Sequence, residues 1–308
     1  MKFVSTALLF LVSLFGVNLT CLHKGCPLTP GLKIEHLEAA IQVGLRPSEI
    51  WKDIFRVVQW NILYDKKNGS DSWENRKKDL CDYIRRMKPT VFGLQEVMRH
   101  QLDHLRSCLP RYNFVGRPID STPDALYNPV FYEKSSQIQY IDSGTFWLSE
   151  TPDQSGTMLR NANYSRICSW VKLNYYNSVT WKTIFVATTH ITYTDEDIAD
   201  QQVKILLNYL LHNVLKNKPY PIILTGDFNW DDLSAMYNTM EQSNWFHNSM
   251  AIARLSLPQL TALDPYAGLV DYIWKSNAVS LLSATMMDTR PNGRMLSDHR
   301  PVFGAFLL

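Results

Sequence analysis

Tyr220-Pro221-Ile222-Ile223-Leu224-Thr225-Gly226-Asp227-Phe228-Asn229-Trp230 is an apolar run that opens on proline and closes on polar side chains. Such a run reads as a buried strand, and its polar end is where chemistry can reach solvent. Side chains alternate faces along a strand, so Asp227 and Asn229 can enter one cleft while Phe228 packs the other way. A short turn containing Asp has the same letters, so other stretches must decide. Three do. Gln59-Trp60-Asn61 closes a strand at 55–60, Gly93-Leu94-Gln95-Glu96-Val97 closes another at 91–94, and Leu296-Ser297-Asp298-His299-Arg300 precedes a terminal apolar strand.

The rest of the chain alternates in the same manner. A helix is expected over 73–87, with Ser72 as N-cap, and a second over 98–109 ending before Pro110. Strands follow at 112–115, 129–132, 138–143, 144–148, 167–173 and 180–189, separated by Pro, Gly and Asn. Helices at 194–216 and 233–242 flank the opening strand, and strands at 269–274, 279–284 and 301–308 complete the pattern. Paired into two sheets with helices outside, these elements make one four-layer α/β sandwich from residue 54 onward.

The 308 residues, 45% hydrophobic, allow a large core, and a formal net charge of +2 gives no basic footprint that would demand nucleic acid. Arg76-Lys77-Lys78 and Arg85-Arg86 read as a solvated helix face. An apolar run from Phe3 to Val17 follows Met1-Lys2, the pattern of a secretory signal. Residues 1–20 are therefore expected to be a signal peptide, 21–53 an extension, and the mature protein secreted without a transmembrane segment. Cys81 and Cys108 could be bridged across neighbouring helices, and Cys168 reads as a buried free thiol. Cys21, His23 and Cys26 fall short of a closed zinc site. Asn68-Gly69-Ser70 and Asn163-Tyr164-Ser165 are glycosylation sequons, usable in an exporting eukaryote.

Strands that deliver Asn61, Glu96, Asp227, Asn229 and Asp298-His299 in this order resemble the endonuclease/exonuclease/phosphatase superfamily, the fold of pancreatic-type deoxyribonuclease. The likeness covers residues 54–308. It runs within the superfamily to metal-dependent hydrolases that include sugar-phosphate phosphatases, on Ser72-Trp73-Glu74-Asn75-Arg76-Lys77, the Glu96 motif, residues 144–152 and Arg166-Ile167-Cys168-Ser169-Trp170. The resemblance implies hydrolysis of a phosphate ester with Mg²⁺ or Mn²⁺ held by Asn61, Glu96 and Asp298. It implies that Asp227 activates water, Asn229 and His190 contact the phosphoryl group, and Asp271 holds His299 as an imidazolium beside the scissile phosphate. Arg166 is a candidate for phosphate. Many relatives carry Gly-Glu where this chain has Ala125-Leu126, which removes an acid that could pair with His190. The expected substrate is small and phosphorylated; a secreted nuclease and a non-catalytic binding protein are the alternatives, and fold alone does not choose between them.

Overall fold

The computed structural model describes residues 53–66, 69, 71–253, 269–289 and 293–308. The leader, Cys21, His23, Cys26 and the Asn68 sequon lie outside the described residues, as does part of the loop before Leu296.

Two six-stranded sheets pack face to face. The first takes β1 (Phe55–Asn61), β2 (Val91–Gln95), β3 (Tyr112–Val115), β4 (Val130–Glu133), β11 (Ser280–Met286) and β12 (Val302–Leu307), in the order β11-β12-β1-β2-β4-β3. The second takes β5 (Ile138–Trp147), β6 (Ile167–Tyr176), β7 (Trp181–His190), β8 (Ile222–Asp227), β9 (His247–Asn248) and β10 (Asp271–Lys275), in the order β5-β6-β7-β8-β10-β9. Parallel pairs β1–β2 and β7–β8 lie at the centre of each sheet, flanked by antiparallel partners. Between the sheets Val57, Val91, Val171, Val186, Ile223 and Ile273 form the inner core. Branched side chains suit this layer because both faces of the central strands are covered.

Helices close the outer faces. Helix α1 (Trp73–Met87) and α2 (Arg99–Cys108) cover the first sheet through Leu80, Ile84, Leu102 and Leu105, and Cys81–Cys108 joins them with Cα atoms 6.3 Å apart. Helix α3 (Glu196–Tyr209) and α4 (Ala235–Gln242) cover the second through Val203, Leu206, Met236 and Met240. Cys168 is a buried free thiol, and burial raises its pKa. No helix among the described residues is long and apolar enough to cross a membrane.

Several local expectations need correction. The strands expected at 138–143 and 144–148 are one strand, β5, with a register shift between Tyr140 and Asp142. Gly144 is no break: a Cβ there would lie 2.8 Å from the Trp170 indole nitrogen, so glycine admits the indole against the strand. The helix expected at 194–216 ends in a π turn, Leu210–Val214, after Tyr209. Ser72 holds the N-cap position of α1 without a side-chain cap bond; the Trp73 N–H donates to Asp65 Oδ1 at 2.9 Å instead. Arg76 is not on a solvated face. It is 1% exposed, whereas Lys78, Arg85 and Arg86 of the same runs are exposed.

The sheets approach closely beneath the polar strand ends. A Cβ on Gly93 would stand 2.2 Å from Thr225 Oγ1 and 2.4 Å from Thr188 Oγ1, so no larger residue fits between β2 and the facing sheet.

Candidate active site

The strand ends meet at one end of the sandwich, and both sheets supply groups. Asn61 closes β1, Glu96 follows β2 and His299 precedes β12, all from the first sheet. Arg166 precedes β6, His190 closes β7, Asp227 closes β8 and Asp271 opens β10, all from the second. Glu96 and Asn229 sit in the left-handed region, with φ of 59° and 60°, so each turns its side chain out of the line of the preceding strand.

Hydrogen bonds between these groups cross the seam between the sheets. Asn61 Nδ2 donates to Asp227 Oδ2 at 2.9 Å and to Glu96 Oε1 at 3.1 Å, while its Oδ1 accepts from the Leu63 N–H at 3.0 Å. His299 Nδ1 and Asp271 Oδ2 are 2.7 Å apart, and Asp271 Oδ1 accepts from Gln59 Nε2 at 3.0 Å. Asp227 Oδ2 lies 3.6 Å from His299 Nε2 and 3.5 Å from His190 Nε2, between the two imidazoles. Asp227 Oδ1 accepts from the Asn229 N–H at 3.0 Å, and Asn229 Nδ2 donates to the Ile191 carbonyl at 2.8 Å. The second proton of that amide remains for another acceptor.

Burial and charge set the protonation states. Burial works against the His299 imidazolium, but the carboxylates of Asp271 and Asp227, with the Asp271 hydrogen bond, override it and push the pKa up to about 11. Burial raises Asp227 to about 6, with His299 pulling it down and Asp271 pushing it up. His190 is held neutral by burial, and by Arg166 and His299 as like charges. Its Nδ1 is buried without a hydrogen-bond partner; position 126, where many relatives carry an acid, is Leu. Arg166 is 8% exposed, burial lowers its pKa, and its Nε has no hydrogen-bond partner among the described residues. Asp227 and Glu96 supply the charges that oppose that lowering.

A divalent cation fits the oxygen-rich side of this cluster. Donor atoms of Asp227, Asp271 and His299 lie within 4.8 Å of one another, which is metal spacing. Imidazolium His299 has no free lone pair, however, and its Nδ1 is committed to Asp271, so this trio is better suited to moving protons. Glu96 is only partly buried, with Oε2 receiving the Tyr64 N–H at 3.2 Å, and carboxylate oxygens keep further lone pairs for a hard cation. Asp298 is exposed, its Oδ1 accepting from Ser297 Oγ at 3.2 Å. Asn61 faces the cluster with its amide hydrogens, leaving one lone pair of Oδ1 beyond the Leu63 bond.

Beneath these groups lies a polar layer that the reading of the sequence did not single out. Gln59 and Gln95 exchange side-chain hydrogen bonds at 2.5 and 2.9 Å, and Gln95 Nε2 also donates to Thr188 Oγ1 at 2.8 Å. The signal was available: both glutamines interrupt apolar strands, and Gln59 shares a face with Asn61 two residues on. Arg76 is a second omission. Its guanidinium donates to the carbonyls of Ile62, Leu63 and Leu296 at 2.6, 2.9 and 2.8 Å, tying the loop after Asn61 to the loop before His299.

A family model, described as the Endonuclease/Exonuclease/phosphatase family, matches residues 58–299, a span that holds all of these groups. The chain belongs to the endonuclease/exonuclease/phosphatase family. Members of this family are metal-dependent phosphoester hydrolases. An endonuclease/exonuclease/phosphatase of Bacteroides vulgatus superposes with a TM-score of 0.72 at 27% identity, covering 83% of this chain and 99% of that one. The mannosyl-6-phosphatase of Bacteroides thetaiotaomicron gives a TM-score of 0.70 at 24% identity, covering 82% and 100%. Nocturnin of Rattus norvegicus is 25% identical in an alignment of 280 residues that covers 80% of this chain and 63% of that protein. The chain thus spans less than two thirds of the length of the curated family relatives it matches.

Proposed function

We propose that the protein is an exported, Mg²⁺-dependent phosphoesterase that hydrolyses a small phosphorylated molecule such as a sugar phosphate. The observation that carries this reading is Asp227, a buried carboxylate set between two histidines in the electrostatic reach of a buried Arg166 whose Nε has no hydrogen bond. A buried N–H without a hydrogen bond is unfavourable, and a phosphate oxygen would satisfy it.

Glu96, with Asn61 and Asp298, would hold Mg²⁺ or Mn²⁺, which would supply positive charge to the phosphoryl group when bound. With a pKa raised to about 6, Asp227 is ionised at neutral pH and basic enough to take a proton from water. His299, protonated and fixed through Nδ1 by Asp271, directs Nε2–H toward the oxygen on which charge builds. Neutral His190 and the remaining Asn229 proton donate to the same group. Little covalent work is needed from the protein, so positioning and electrostatics do most of the catalysis.

Export is supported by the apolar run at residues 3–17 and by the Cys81–Cys108 bridge, which suits an oxidising compartment. The test is a chelator-controlled hydrolysis screen over hexose phosphates, nucleoside monophosphates, a phosphodiester, sphingomyelin and plasmid DNA. Turnover of phosphomonoesters that a chelator abolishes and Mg²⁺ restores is the expected result. Cleavage of DNA alone would move the nuclease reading to first place.

A further inference from the structure

Two half-exposed tyrosines stand at the rim of the site, stacked on one another. Tyr164 and Tyr193 are 51% and 57% exposed, with ring centroids 6.5 Å apart and planes inclined by 26°. Each is close in sequence to a site residue: Tyr164 is two before Arg166, and Tyr193 three after His190. Both phenols are near enough to Arg166 to bear on its ionisation, and Tyr193 also senses Glu96.

The pair is held in advance of any ligand. Leu159 and Ala162, from the loop that carries Tyr164, form a satellite core with Ile198 of α3, the helix that starts just after Tyr193. The segment before Tyr193 is pinned from the other side, because Trp230 Nε1 donates to the Thr192 carbonyl at 2.8 Å. Loop and helix are thereby packed against each other. The outer ring surface that this stacked pair leaves in water, on a packed support, can be covered by a flat apolar partner.

Resting on the phosphoesterase reading, we infer that Tyr164 and Tyr193 form a stacking platform that selects phosphate esters whose alcohol part is a ring, the phosphate lying on Arg166. Pyranose and nucleoside rings share the chemistry that such a platform recognises, a broad face of C–H groups or a π system, which an acyclic glycerol phosphate lacks. Tyrosine suits the role because its ring presents a large rigid surface with few rotatable bonds to order.

The experiment compares wild type, Tyr164→Ala/Tyr193→Ala and Tyr164→Phe/Tyr193→Phe on glucose 6-phosphate, adenosine 5′-monophosphate and glycerol 3-phosphate. The alanine pair should raise KM about tenfold for at least one ring ester, equivalent to about 1.4 kcal/mol. It should leave kcat, and both constants for glycerol 3-phosphate, within about twofold, while the phenylalanine pair keeps the preference. Which ring suffers more distinguishes a sugar from a base. Equal losses on ring and acyclic esters, or none on either ring, would overturn the platform. Calorimetric binding of the same three compounds to the Asp227→Asn variant reads the preference without turnover. Absent hydrolysis with preserved ring preference thus fails the phosphoesterase reading alone, and equal binding of all three fails the platform alone.

Discussion

The two sheets contribute unlike halves to the site. From the first come Glu96, Asp298 and His299, which all reach solvent to some degree, around a buried Asn61; from the second come His190, Asp227, Asp271 and Arg166, each 8% exposed or less, with a partly buried Asn229 after them. The difference divides the labour. A cation that must exchange with water needs accessible oxygens, whereas a base of useful strength and an undissipated field need a dry surround. His299 belongs to the wet half by chain position and to the dry half by its bond to Asp271, so it couples the two.

The sharpest way to break this division is at that coupling. His299→Ala and Asp271→Asn should each lower kcat/KM by about 10²–10³-fold, roughly 2–4 kcal/mol of transition-state stabilisation, and the double variant should lose little more. Steady-state kinetics on folded variants decides it, and additive losses would mean that the two residues act separately. On the wet side, Glu96→Ala should weaken Mg²⁺ binding by calorimetry at least tenfold and shift the unfolding free energy by less than about 1 kcal/mol, since it removes a partly exposed group. Unchanged affinity would relocate the cation to the dry half.

A pH series sharpens the same contrast. The folded pKa of His299, about 11, exceeds its unfolded value of about 6.5. Its contribution to the metal-free protein is therefore full below about pH 6.5 and lost as pH rises toward 11. Urea denaturation in a chelator should show stability falling between pH 7 and 10, and the fall should shrink in Asp271→Asn. Asp227, also raised, acts in the same direction between about pH 4 and 6. The smallest effect is expected far from the seam. Replacing Cys81 and Cys108 by alanine should cost about 2–4 kcal/mol of stability by denaturation yet change kcat/KM by less than about twofold.

How much of this was legible in the sequence follows from which signals are local. Helix α1 was readable to its ends because Leu80 and Ile84 recur at helical spacing and Pro89 stops it, and the four strand ends announced themselves as polar letters after apolar ones. Burial of Arg76 was not readable. Its partners are backbone carbonyls in two loops, one of them at Leu296, some 220 residues away in sequence, and carbonyls carry no letter. Gly144 misled for the opposite reason: a glycine in a strand means either a break or a close neighbour, and only Trp170 across the sheet decides. The tyrosine pair lies in loops without periodicity, where sequence distance says nothing of proximity.

Gly93 bears on all of these expectations although it touches no substrate. Because the Asn61–Asp227, Gln59–Asp271 and His299–Asp271 contacts span the gap between the two sheets, the thickness of that gap is itself a catalytic variable, and the residue that borders it at Thr188 and Thr225 is chemically blank. A methyl group there would act as a shim, widening the reaction geometry from below while leaving each functional side chain in place on its own strand. Rim positions such as Tyr164 and Tyr193 can then vary with the substrate, while the tolerance to which the two halves are assembled is fixed deep in the sandwich.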